Sequence, residues 1–159
     1  MNGITRMGVA AVGSLIVASA AMAQGAAPQT PEQKAQTSVL TRQGLFKVQV
    51  FVYGPAAAML RGAPFDAAVA QKAGARLATT AGLIPEVFAS DTHTFTVPTK
   101  AREGIWTNKS DFDSKANDLA KAAADLEMTA KGGDQDATKK AIITVGKACG
   151  ACHDQFRDK

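Results

Sequence analysis

Cysteine and histidine are both scarce, with two of each in 159 residues. Both cysteines fall close together near the C-terminus, which excludes a disulfide-stapled small fold. Aromatic residues make up only 6% of the chain, with one tryptophan and one tyrosine. The formal net charge is only +4, and no basic stripe interleaves with aromatics. That excludes the usual footprint of a nucleic-acid binder. Past the first two dozen residues no apolar run is long enough to span a bilayer, so no stable membrane insertion of a mature chain is expected. There is no internal repeat and no low-complexity tract beyond enrichment in alanine.

The one apolar stretch lies at the N-terminus. Arg6 supplies a short basic region, Met7 to Ala20 is small and apolar, and Ala21-Met22-Ala23 reads as a cleavage site. Residues 1–23 are therefore expected to be a cleaved signal peptide, with Gln24 as the new terminus and the periplasm as destination. Residues 24–159 then form one domain with one core and a charge of +3.

Near the C-terminus the chain reads Cys149-Gly150-Ala151-Cys152-His153. C-x-x-C-H is the pattern of covalent c-type haem attachment. On a helix, residues three and four apart share a face, so the two thiols and the imidazole project together. Two thioethers to one porphyrin edge and one nitrogen ligand to the iron follow from that spacing. A thioredoxin-like redox pair wants a βαβ context, and a zinc site wants two more ligands. Neither is visible in the sequence. The expected cofactor is one covalent haem c per chain, which also fits export, since bacterial c-type haem is attached outside the cytoplasm.

Four helical patterns follow the leader. The first runs from about Pro31 to Tyr53, with Arg42, Phe46, Val50 and Tyr53 on one stripe. Val48 to Tyr53 is rich in strand formers, and alone fits a strand. Gly54-Pro55 is expected to break or kink this helix, with a turn or more continuing towards Arg61. The second starts at Asp66 as N-cap and runs to about Ala81, turning Val69, Ala73 and Leu77 inward. A long connection, Gly82 to Thr107, is expected to pack on the haem edge. The third helix begins near Ser110 and ends at Gly132-Gly133, with Phe112, Ala116, Leu119, Ala123 and Leu126 at bundle spacing. The fourth runs from about Asp136 to Arg157, and Ile142, Val145, Cys149, Cys152 and Phe156 form its seam. The fold class is all-α: an antiparallel four-helix bundle with covalently attached haem c.

A haem motif on the last helix of such a chain resembles the class II cytochromes c: cytochrome c′ and its low-spin relatives of the c-556 type. The segment from Val145 through Arg157 looks like that family's terminal helix. Arg42-Gln43-x-x-Phe46 looks like its first-helix haem-facing segment. Gly62 to Asp66 resembles the turn into its second helix, and Ile105-Trp106 followed by Phe112 the entry to its third. The resemblance implies that position 46 faces the distal side of the iron. A methionine there completes six-coordination in c-556-like members, whereas an apolar residue leaves the iron five-coordinate in cytochrome c′. Phe46 has no lone pair to donate, and neither Met59 nor Met128 is well placed to replace it. The resemblance further implies Arg42 and Gln43 as haem propionate candidates, Ile84 and Phe88 as haem-edge contacts, and Arg157 near the proximal iron face. Arg157 has the alternative of a helix C-terminal cation favoured by the dipole. His93 reads as an exposed loop histidine.

The implied activity is reversible binding of nitric oxide, and of carbon monoxide in the ferrous form, over one-electron redox cycling. Oxygen is expected to bind poorly against an apolar distal wall. The rival is a six-coordinate low-spin electron carrier of the c-556 type. An enzyme such as a peroxidase is not expected, because Phe46 offers no distal acid–base group. A homodimer through the first two helices is compatible with the resemblance, and redox partners are not legible.

Overall fold

The computed structural model describes residues 28–159, so the expected signal segment lies outside the described residues. Six helices follow in order: α1 Pro31–Met59, α2 Ala67–Gly82, α3 Ile84–Val87, α4 Gly104–Thr107, α5 Lys109–Lys131 and α6 Gln135–Phe156. The four long helices form the bundle. The single turns α3 and α4 lie within the long α2–α5 connection. Among the described residues there is no strand, only an isolated bridge between Ala101 and Arg157.

The long helices begin where local chemistry places them. Thr30 and Gln33 form a reciprocal capping box ahead of Pro31 in α1. The Asp66 carboxylate accepts from the Val69 amide at 3.0 Å, as expected of an N-cap. Asp134 accepts from the Ala137 amide at 2.9 Å, so α6 starts just ahead of the anticipated Asp136. Gly133, at φ 78°, takes the left-handed conformation that lets the α5–α6 turn close.

Packing is tightest between α2 and α5, and α6 then lies along α5. Gly74 explains the first of these contacts. A Cβ built there would stand 2.5 Å from the Glu127 nitrogen and 2.7 Å from the Ala123 carbonyl oxygen. The two backbones therefore touch, and only glycine permits it. The α5 residues Phe112, Ala116, Leu119, Ala123 and Leu126 are all buried as their spacing required. On α2 the buried line is Ala70, Ala73, Leu77 and Ala81, with Val69 only half-buried beside it.

α1 resolves one conflict in favour of helix and departs from expectation in two ways. Val48 to Tyr53 is helical as part of α1: Gln49 is buried and Val52 and Tyr53 pack inward while Val50 and Phe51 point out, and the helical context overrides strand preference. Pro55 lies inside α1, which continues unbroken to Met59. The carbonyl that Pro55 cannot serve is that of Phe51, whose residue is 76% exposed, so water is free to bond it. Finally, Val50 is 72% exposed and does not belong to the inward stripe. The buried line runs instead through Ala35, Val39, Arg42, Gln49, Ala56 and Met59, flanked by half-buried Phe46 and Tyr53.

Candidate haem site

The seam of α6 steps by fours and threes through Thr138, Ile142, Val145, Cys149, Cys152 and Phe156. Thr138, Ile142, Val145 and Phe156 are buried. Thr138 tolerates that place because its hydroxyl donates to the Asp134 carbonyl at 2.6 Å. Cys149 and Cys152 are half-exposed, although both pack against the core cluster. The seal thus opens at the two thiols alone, and exposed His153 follows them. An apolar helix face that opens at two free thiols suits a flat apolar group bonded at that place.

The thiols are not activated. Burial pushes Cys149 up and Cys152 up to about 11, so both stay protonated near neutral pH. That environment does not suit a reactive thiolate pair. Among the described residues no group of three or more His, Cys, Asp or Glu side chains gathers to hold a metal ion. Partial burial, and then the Arg157 charge, hold the His153 imidazole below its usual range. Neutral imidazole is the form that ligates a metal. Arg157 Nη1 stands 3.5 Å from His153 Nδ1, too far for a strong hydrogen bond, so its influence is mainly Coulombic. α6 ends at Phe156, and Arg157 is extended rather than helical. A hollow of about 220 Å³ opens here, lined by His153, Asp154, Arg157, Asp158 and Lys159.

α1 stands across from this face and touches α6 only lightly. Their main tie is the Tyr53 hydroxyl, which donates to the Ile142 carbonyl at 2.7 Å. Phe46 lies two turns earlier, half-buried, with its ring centroid 6.1 Å from that of Phe88. Phe88 is 4.9 Å from Phe112, and Phe112 is 5.3 Å from Phe156 at the end of α6. One aromatic wall therefore joins Phe46 to the last turn of the cysteine helix. Ile84 and Phe88 are both buried in the core cluster, and Phe88 is the hub of that wall.

Arg42 is buried, and it clamps the connection. Its Nε donates to the Val87 carbonyl at 2.8 Å and its Nη1 to Thr92 Oγ1 at 2.7 Å, while Nη2 bonds the Ser90 carbonyl. The guanidinium stacks 4.6 Å from the Phe88 ring centroid and 5.3 Å from that of Trp106. Burial lowers its proton affinity, and Asp91 offsets part of that. Gln43 is exposed, with its Nε2 3.4 Å from the Pro98 carbonyl. His93 lies at the loop edge, its Nδ1 2.7 Å from Asp91 Oδ1. Sequence reasoning missed three residues here. Thr92 receives Arg42. Arg102 ties the loop to Asp158 and to the last carbonyls of α6. Gln49 is buried on the inward face of α1.

The family description Cytochrome C′ matches residues 37–157. The chain belongs to the cytochrome c′ family. Cytochrome c′ of Rhodopseudomonas palustris is 39% identical over 127 residues, spanning 79% of this chain and 85% of that protein. A cytochrome c-556 of Agrobacterium tumefaciens is 35% identical over 119 residues, spanning 74% and 94%. Among solved structures, cytochrome c′ from Rubrivivax gelatinosus superposes with a TM-score of 0.70 at 31% identity, covering 82% of this chain and all of that one. The nitric oxide complex of an Alcaligenes xylosoxidans cytochrome c′ variant gives 0.69 at 28% identity, covering 79% and 97%. Cytochrome c′ proteins carry covalently attached haem c, and the free thiols, neutral imidazole and apolar opening of α6 fit that group.

Proposed function

We propose that this cytochrome c′ family member is a periplasmic monohaem protein with a five-coordinate iron that takes nitric oxide, and carbon monoxide when ferrous. Haem supplies a redox-active iron, and single-electron transfer goes with it. Cys149 and Cys152 are its tethers, and His153 is its proximal ligand. Phe46 fills the distal side without donating to it. Arg42 fixes the neighbouring loop, and with Gln43 it offers remaining N–H groups to a propionate. Ile84 and Phe88 back the haem edge, and Arg157 adds positive charge beside the proximal imidazole.

The observation that carries this reading is Phe46, half-buried on α1 and tilted against the Phe88 ring, with no methionine near it among the described residues. Met59 lies thirteen residues on, about 20 Å along the helix axis, and is buried at the far end of α1. Met128 is 66% exposed. The nitric oxide complex among the similar structures supports the choice of ligand. The second reading, a six-coordinate low-spin electron carrier, draws on the c-556 relatives, whose identity is comparable. It needs a donor where phenylalanine stands.

Exposed Val48 and Phe51 of α1 border a hollow shared with Arg76, Thr79 and Thr80 of α2, and Leu40 is exposed on the same helix. We assign that face to a second copy of the chain, and the sedimenting mass tests it. The haem reading is tested by the absorption spectrum of the holoprotein with Phe46→Met beside it. The wild type should be high-spin and respond to nitric oxide, and the variant should turn low-spin. A low-spin wild type that ignores nitric oxide supports the carrier reading instead.

A further inference from the structure

We propose that Gln49 is the hydrogen-bonding residue of the distal pocket, donating from its side-chain amide to a small acceptor ligand admitted beside Phe46. The proposal rests on the open-face reading above. Gln49 follows Phe46 by three residues and precedes Tyr53 by four, so the three share one side of α1. It is 7% exposed, and its Nε2 has no hydrogen-bond partner. The other buried polar side chains are satisfied: Arg42 through the loop carbonyls and Thr92, and Thr138 through Asp134. Leaving a buried donor unpaired carries a real penalty, and native interiors rarely do so.

The rest of the buried line on α1, Arg42 apart, is apolar: Ala35, Val39, Ala56 and Met59. Nothing in that packing requires a glutamine. Its donor therefore belongs to a group outside the polypeptide. The face in question looks across the loose α1–α6 seam. Tyr53, one turn on, bonds Ile142, which stands two turns before Cys149 on the cysteine helix. In the antiparallel pair Gln49 thus lies between the Tyr53–Ile142 tie and Phe46, one turn from each and on the approach to the tethers. Nitric oxide and dioxygen accept a hydrogen bond at their far atom better than carbon monoxide does. Gln49 biases the pocket towards them, and it revises the expectation, drawn from Phe46 alone, of a wholly apolar distal wall.

The test uses the ferrous holoprotein and two variants that carry no donor to the iron, Gln49→Leu and Gln49→Ile, with carbon monoxide and nitric oxide as probes. The C–O stretch should rise in both variants. Nitric oxide should leave roughly five- to tenfold faster, the effect of one lost hydrogen bond. The ligand-free variants should melt no lower than the wild type, since no existing bond is broken. Unchanged stretch and rate, with the ligands still bound, overturn the role of Gln49 and leave the open-face reading standing. A low-spin wild type that admits neither gas overturns both.

Discussion

Substituting Gly74→Ala tests the bundle at its closest point. The new methyl carbon would lie 2.5 Å from the Glu127 nitrogen, 2.7 Å from the Ala123 oxygen and 2.9 Å from the Glu127 Cα. All three are backbone atoms, so no side-chain rotation relieves the contact. Ordinary contact begins at 3.4 Å, and α2 and α5 must separate by about 0.9 Å. Overpacking of this kind costs about 1–3 kcal/mol, and the rigidity of the neighbours places it at the upper end. Alanine returns about 1 kcal/mol through better helix propensity. The net expectation is a loss of about 2 kcal/mol. Gly44→Ala is the control: it is exposed on α1 with nothing within 4 Å, and it should gain about 1 kcal/mol. For a domain of this size the two variants should melt roughly 10 °C apart. Far-ultraviolet circular dichroism reads the transition, with Soret absorbance checking equal haem content. Gly74→Ala melting at or above the wild type would refute the close approach of α2 and α5.

Arg42→Leu should destabilise the protein by about 2–4 kcal/mol, because it strands the carbonyls of Val87 and Ser90 and the hydroxyl of buried Thr92. Denaturant unfolding checks the magnitude, and limited proteolysis should show earlier cleavage between residues 88 and 103. The Asp91 carboxyl responds to acid. Slight burial raises its pKa, but the amide and ring of His93 together with the Arg42 charge outweigh it, so the group sits below its ordinary 3.8. A depressed carboxylate contributes stability above its ordinary pKa and loses it as pH falls through the folded value. Melting temperature should therefore fall more steeply below about pH 4 in the wild type than in Asp91→Asn. Parallel curves would show that Asp91 does not couple to folding.

What the sequence determined was local. Cys149, Cys152 and His153 share a face because helical spacing is fixed within four residues, and the seams of α5 and α6 follow from the same period. Asp66 caps α2 because its carboxylate reaches an amide three residues away. The candidate site was legible for this reason, since Cys149, Cys152 and His153 lie within little more than one helical turn. The tertiary structure decided everything that crosses the chain. Arg42 finds its partners 45 to 50 residues away, so no periodicity announces that it clamps a loop. Val50 and Phe51 look like core and are exposed, because apolar pattern gives a helix its shape but not the direction of its neighbours. Pro55 stays inside α1 where Phe51, whose carbonyl it leaves unserved, is an exposed residue. Gly74 and Gln49 carry no local signal at all. One is required by a backbone on another helix, and the other by a donor that the folded chain buries and does not satisfy.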